Sequence, residues 1–277
     1  MALIQISYVS KALQRAVPLQ VILPVDKFSA DGTLRAPEKF ETLYLLHGYL
    51  GNCTAWVSGT RIQRWAEERN LAVVMPSGDN AFYVDRPESG NCYGQFIGQE
   101  LVEITRRMFP LSHKREDTFI GGLSMGGFGA VRNGLKYYDT FGAVISFSGV
   151  LQLFETWAAA PADADATFEE AVFGPFGQAV RSDKNPSVLV RELAEQKRAT
   201  PAMELPKLYI CCGTEDSLLQ HSRSFRDLLV RSGFDVTYEE GPGGHNWDFW
   251  DTYIKKGLDW LPLDSVSKGI NSGNVNK

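Results

Sequence analysis

No stretch of this 277-residue chain approaches the roughly 18 consecutive apolar residues of a membrane-spanning helix. The most apolar run, residues 141–154, is broken by Gly142, Ser146, Ser148, Gly149 and Gln152. The N-terminus lacks the charged start and continuous apolar stretch of a secretory leader, because Gln5 and Ser7 interrupt it. A cytoplasmic protein with no membrane partner is the expectation. Cysteine is scarce too. Cys53, Cys92, Cys211 and Cys212 show no C-x-x-C spacing, so no zinc or dithiol redox site is read from them. Cys211 and Cys212 lie in an apolar run and read as core residues. Cys53 and Cys92 occupy loop-like Asn-Cys contexts, where a disulfide is conceivable but unsupported in a reducing compartment. An excess of positive charge is also missing: 28 Lys and Arg against 33 Asp and Glu give a formal net charge of -5. Displacing counterions from nucleic acid needs clustered cations, so nucleic acid is not an expected partner. Arg106-Arg107 and His113-Lys114-Arg115 sit beside predicted helix ends and read as solvated surface.

What is present is an ordinary globular balance, 44% hydrophobic and 22% charged, enough to bury a sizeable core. Residues 3–9 and 17–23 alternate and predict an antiparallel strand pair. A polar loop over 26–41 follows, turning at Asp31-Gly32. Short apolar runs at 42–46, 71–75, 118–121, 143–147 and 207–212 predict strands buried on both faces, with a further strand at 236–239. Helical patterns lie between them at 62–69, 98–108, after residue 124 to about 137, 218–232 and 247–261. In the 98–108 helix, Leu101, Ile104 and Met108 form the expected buried stripe. This alternation predicts an α/β fold, a mostly parallel sheet with helices on both faces. Residues 151–205 break the rhythm and are too long for a simple connection. They read as an inserted cap within one domain spanning 1–263, followed by a disordered tail over 264–277.

Gly122-Leu123-Ser124-Met125-Gly126 matches G-x-S-x-G. A strand that turns sharply into a helix strains its central residue, and glycine on each side relieves the crowding. The serine hydroxyl is then presented at a helix N-terminus, where the helix dipole favours developing negative charge. A serine hydroxyl is a weak nucleophile and needs an adjacent base. The chain has four histidines, which permits elimination. His47 belongs to a turn after a strand and reads as a structural histidine. His113 lies in a charged loop, and His221 falls inside a helix with polar neighbours, where it reads as solvated. His245 follows Gly241-Pro242-Gly243-Gly244 after the last strand and is the candidate base. The acid should follow a strand lying between serine and histidine. Asp216 at the far end of Gly213-Thr214-Glu215-Asp216 is favoured over Glu215, with Asp183 and Asp248 as weaker rivals. Asp248 sits too near His245 and reads as a local cap or bridge. Two backbone N–H groups are expected to face the oxyanion, from Met125 and from Tyr49, with Leu50 as the near alternative.

Leu45-Leu46-His47-Gly48, Gly121-Gly122-Leu123-Ser124-Met125-Gly126-Gly127-Phe128-Gly129-Ala130, Cys212-Gly213-Thr214-Glu215-Asp216 and Gly243-Gly244-His245-Asn246-Trp247-Asp248-Phe249-Trp250-Asp251 occur in this order. Together they resemble the tributyrin-esterase and feruloyl-esterase-like branch of the esterase D superfamily, related to carbohydrate esterase family 1, over residues 1–262. The resemblance implies an α/β-hydrolase fold and a cofactor-independent serine carboxylesterase. Its implied substrates are short acyl esters, or acetyl or feruloyl groups on plant carbohydrate. It also implies that the 151–205 insertion covers the acyl pocket. Trp157 is the candidate pocket aromatic there, with Phe82 and Leu50 as further lining candidates. Relatives often self-associate, so a homo-oligomer is compatible with it. S-formylglutathione hydrolases share the superfamily, but their usual histidine within the elbow is Phe128 here. A thioesterase of that kind, or an acyltransferase on the same triad, is the alternative.

Overall fold

The structure, a computed structural model, describes residues 1–29, 31–34, 38–161 and 164–263; the expected tail at 264–277 lies outside them. Strand β1 (Ala2–Ser10) alternates half-buried and exposed side chains along its length, the period-2 signature of a strand with one wet face. It pairs antiparallel with β2 (Arg15–Leu23), as the alternation predicts. Strands β3 (Thr42–Leu46) and β4 (Ala72–Pro76) are buried at every position. The same holds for β5 (Thr118–Leu123) and β6 (Ala143–Phe147). Burial on both faces is why these segments read as unbroken apolar runs. With β7 (Lys207–Gly213) and β8 (Val236–Gly241) they complete an eight-stranded sheet of order β1-β2-β4-β3-β5-β6-β7-β8. Pairing is parallel from β4 through β8 and antiparallel at β1-β2 and β2-β4.

Two apolar cores cover the sheet. One gathers Trp56 of α1 (Ala55–Gly59), Trp65 of α2 (Ile62–Glu67) and residues of the last helix. The other gathers Leu101 of α3 (Leu101–Met108) and Phe128 and Val131 of α4 (Met125–Lys136). Helix α3 buries Leu101, Val102 and Thr105, while Met108 is 42% exposed, so the expected stripe is displaced. A π-turn over Phe96–Glu100 precedes the helix. Thr105 turns inward because its hydroxyl reaches both Tyr44 Oη (2.8 Å) and the Leu101 carbonyl (2.7 Å). No helix among the described residues is long and apolar enough to cross a membrane. All four cysteines are free thiols.

The region 151–205 carries helices α5 (Leu153–Ala159), α6 (Thr167–Phe173), α7 (Phe176–Ala179) and α8 (Pro186–Ala199). Helix α8 has a legible start, since Asn185 accepts the Ser187 N–H and Pro186 occupies the first turn. Its approach to α4 is fixed by Arg132, whose side chain is fully buried. The guanidinium donates to the Asp183 carbonyl (3.0 Å) and carboxylate (2.7 Å) and lies 3.6 Å from Asp85. Asp183 is therefore committed to a structural ion pair and is not available as a catalytic acid. Burial alone would raise its carboxyl, but Arg132 and Lys136 outweigh that and hold it below the usual range. That contribution to stability is present above the unfolded carboxyl pKa and is lost as pH falls through the depressed folded one. Arg132→Ala would remove the buried cation and leave Asp183 and Asp85 with Lys136 alone, and the expected cost is about 3 kcal/mol. Arg223→Ala, in the exposed pair with Glu240, should be nearly neutral. Urea denaturation of both variants checks the contrast, and equal losses would contradict it.

Candidate active site

The β5-to-α4 turn places Ser124 at φ 53°, ψ −117°, a conformation that L-residues avoid unless their surroundings enforce it. Here the surroundings are backbone. A Cβ on Gly122 would meet the Gly126 carbonyl at 2.4 Å, and one on Gly126 would meet the Leu46 and His47 carbonyls at 2.5 Å. Only glycine lets the three segments pass so closely. The Ser124 N–H is anchored to the Phe147 carbonyl on β6 (2.9 Å). Met125 opens α4, so its N–H lies in the first helical turn, where no intrahelical partner exists.

Two loops bring polar side chains to Ser124. His245 Nε2 lies 2.9 Å from Ser124 Oγ, and His245 Nδ1 lies 2.9 Å from Asp216 Oδ2. The Asp216 side chain is fully buried, whereas that of His245 is 33% exposed. Asp216 Oδ1 accepts the Leu218 N–H at 2.9 Å. Burial alone would raise the Asp216 carboxyl; hydrogen bonds from His245, the Leu218 N–H and the Ser148 hydroxyl prevail and hold it below the usual range. The loops after β7 and β8 are joined through main chain: Thr214 N–H donates to the Gly241 carbonyl (2.8 Å) and Glu215 N–H to the Gly243 carbonyl (3.1 Å). Glu215, the rival acid, instead accepts the Gly243 N–H at 3.0 Å and so secures the histidine loop. Helix α9 (Leu219–Arg231) follows the acid loop, and the last helix, α10 (Trp247–Trp260), is capped by Asn246, which accepts the Phe249 N–H at 3.1 Å. The cap is thus Asn246 and not Asp248, which lies within the first turn. The His245 ring meets the edge of Trp250 at 5.0 Å.

The loop after β3 is set by residues 78–83, which carry no sequence motif. His47 is buried; its Nε2 accepts the Gly78 N–H (2.8 Å), which leaves Nδ1–H to donate to the Gly48 carbonyl (2.7 Å). Burial pushes the His47 pKa down, favouring this neutral ring. In a trans peptide the C=O and N–H point in opposite directions, so the Tyr49 N–H is aimed away from His47. Gly48 itself abuts Ser124, since a Cβ there would lie 3.4 Å from Ser124 Cβ. The Leu50 N–H is taken by Asn80 Oδ1 at 2.8 Å. Among the described residues, this leaves the Tyr49 N–H as the open one of the two candidate donors. Tyr83 Oη donates to the His47 carbonyl at 2.9 Å. Asp79, Phe82 and Tyr83 all have positive φ, 46°, 50° and 57°. Residues 78–83 are therefore a strained template for the His47–Leu50 turn, and no motif announces them because the partners of Asn80 and Tyr83 are main-chain groups some thirty residues away.

The expected pocket residues fall in different places. Phe82 is buried, edge-on to Phe128 (5.5 Å), Phe173 (5.2 Å) and Phe168 (6.1 Å). Phe168 also meets Tyr49 edge-on at 5.5 Å, joining α6 to the turn beside Ser124. Trp157 packs on Phe176 at 4.8 Å and lines a cavity of about 590 Å³ with Leu153, Thr156 and Glu169; Ser124 and His245 are not among its lining residues. Leu50 is 80% exposed. His113 is exposed, as expected. His221 is half-buried and not solvated: Nε2 lies 3.4 Å from Thr156 Oγ1, and burial lowers its pKa. Helix α5 covers it, which the sequence could not show. Among the described residues no group of three or more His, Cys, Asp or Glu could hold a metal ion.

Residues 10–261 match the family model described as "Putative esterase". Over 270 residues the chain is 43% identical to an acetyl esterase of Caldicellulosiruptor saccharolyticus, covering 94% of this chain and 98% of that one. Among solved structures, the fluorophosphonate-binding serine hydrolase FphF of Staphylococcus aureus superposes with a TM-score of 0.79 at 32% identity. The S-formylglutathione hydrolase FrmB of the same organism does so at 0.78 and 32%. Each alignment covers 94% of this chain and 98% of the other. The chain belongs to this esterase family and is a carboxylic ester hydrolase with the α/β-hydrolase fold.

Proposed function

We propose that Ser124, His245 and Asp216 are the catalytic triad and that the protein hydrolyses short-chain acyl esters, acetyl esters first among them, through an acyl-enzyme. The observation that carries this reading is the continuous relay Asp216–His245–Ser124, with 2.9 Å at each step. Ser124 Oγ attacks the ester carbonyl while His245 Nε2 takes its proton. The same proton then passes to the departing alcohol oxygen. Asp216 holds the Nδ1–H tautomer and stabilises the imidazolium as it forms. Water, deprotonated by His245, attacks the acyl-enzyme and releases the acid. The Met125 and Tyr49 N–H groups stabilise the oxyanion in both steps. Residues 151–205 act as a cap over the acyl side within one domain spanning 1–263. The Tyr49–Phe168–Phe82 contacts support that role, since they carry α6 to the edge of the donor turn. Feruloyl esters are the bulkier candidates for the same side. The likeness to FrmB supports a thioesterase of the S-formylglutathione type as the second reading.

Ser124→Ala is expected to abolish turnover of p-nitrophenyl acetate, with a loss of order 10⁶-fold by analogy with another serine hydrolase. Retention of a tenth of wild-type activity would sink the assignment. Asp216→Asn should fold, because the buried site keeps its size, yet lose about 10⁴-fold in kcat as His245 adopts the wrong tautomer. Steady-state kinetics beside a thermal melt separates the two effects. His47→Ala and Asn80→Ala release the peptide planes on either side of Tyr49. Each should lower kcat by about 10–100-fold with little change in KM, because an oxyanion donor acts only in the transition state. A rise in KM with unchanged kcat would assign both residues to substrate binding instead. Initial rates on p-nitrophenyl acetate and butyrate, methyl ferulate and S-formylglutathione rank the substrate classes. Adding an alcohol acceptor and weighing transfer product against free acid decides between hydrolase and acyltransferase.

A further inference from the structure

Beside the relay lies a second set of polar contacts that no step of the proposed chemistry uses. The Trp250 indole N–H meets Ser148 Oγ at 3.3 Å, and the Ser148 hydroxyl is one of the groups that hold the Asp216 carboxylate. The same indole meets the His245 ring edge-on, with ring centres 5.0 Å apart. We propose that Ser148 and Trp250 are positioning residues of the relay: a chain of donors from Trp250 to Ser148 to Asp216 fixes the carboxylate, while the indole edge fixes the imidazole. The proposal rests on the triad reading above.

The direction of the chain follows from what each group can donate. An indole N–H donates and cannot accept, so Ser148 Oγ is the acceptor in that contact. The hydroxyl proton is left for another partner, and Asp216 is the charged acceptor beside it. Ser148 itself has little freedom. It is fully buried, its φ is 49°, and its N–H is tied to the Cys211 carbonyl of β7 at 2.8 Å. Glycine would adopt that backbone without strain, so what serine adds at this position is its hydroxyl.

Asp216 needs such a donor. Its side chain is fully buried, and an ionised carboxylate has room for about four donors. His245 Nδ1–H occupies Oδ2 and the Leu218 N–H occupies Oδ1. The other titratable groups facing it bring no fixed opposite charge. The Cys212 thiol of β7 is pushed up to about 11 by burial and by Asp216 itself, and burial lowers the pKa of His221 on α9. The negative charge is therefore spread through hydrogen bonds. Taking away the Ser148 donor concentrates it toward His245, and the relay would then keep its proton to higher pH.

The test is the pH profile of kcat and KM on p-nitrophenyl acetate for Ser148→Ala, Ser148→Gly and Trp250→Phe, beside a thermal melt of each. The acidic limb of kcat/KM should move up by about half a unit or more in both Ser148 variants. Their kcat should fall about threefold to tenfold with KM unchanged. Glycine relieves the strained backbone, so a shift shared with alanine does not come from strain. Trp250→Phe keeps a ring against His245 and removes the N–H; its limb should move the same way by a smaller amount. In an Asp216→Asn background, Ser148→Ala should cost less than about twofold, because the charge it acts on is gone. A limb that stays in place in both Ser148 variants overturns the proposal, as does a Ser148→Ala loss undiminished beside Asp216→Asn. A wild-type profile for Trp250→Phe removes Trp250 from the chain. Failure of the triad reading looks different, since Asp216→Asn alone would then hydrolyse at the wild-type rate.

Discussion

The distances in the candidate site depend on how closely separate backbones can pass at the carboxyl edge of the sheet. Gly122, Gly126 and Gly48 let β5, α4 and the turn after β3 meet around Ser124, and Gly213 does the same for the other two loops. A Cβ on Gly213 would fall 1.9 Å from the Gly243 carbonyl, so the acid loop and the histidine loop touch main chain to main chain. Side chains then have only to span the remaining gap. This is why the glycines cluster on either side of the functional residues, and why the relay Asp216–His245–Ser124 is held by peptide hydrogen bonds on every side.

Electrostatics follow from that packing. A buried carboxylate would ordinarily take up a proton to avoid desolvation. Asp216 stays ionised because the tight loop places the Leu218 N–H, the Ser148 hydroxyl and the His245 ring around it. Ser148 in turn is oriented by backbone strain, with φ 49°, and by contact with the Trp250 indole N–H at 3.3 Å. On the opposite side His47 is kept neutral by burial, so a single tautomer links the Gly78 N–H to the Gly48 carbonyl. One side of the site thus stabilises a charge and the other aims a dipole.

The parts legible in the sequence are those with a local cause. G-x-S-x-G encodes the strained turn, continuous apolar runs encode strands covered on both faces, and glycine-rich loops after strands mark Asp216 and His245, the two side chains that meet Ser124 in the relay. Strands 42–46 and 143–147 were readable to the residue for that reason. What stayed hidden depends on distant partners or on backbone atoms. The template at 78–83 works through the Gly78 N–H, the Asn80 and Tyr83 side chains on distant main-chain partners, and positive φ at non-glycine residues. The displaced stripe of α3 turns on Thr105, a polar residue whose inward hydroxyl partner, Tyr44 on β3, is remote in sequence. His221 read as solvated because its cover, α5, comes from a segment remote in sequence. Asp248 reads as a local cap or bridge because carboxylates favour those roles, yet Asn246 precedes it with the same capping capacity and takes the cap.

The most direct test of the central claim is covalent labelling with a fluorophosphonate, followed by peptide mass spectrometry of the adduct. A single phosphonyl group on the peptide containing Ser124, formed at rates that fall when His245 is replaced, is the predicted result. An adduct on a different serine, or esterase activity that survives complete labelling of Ser124, would contradict the account.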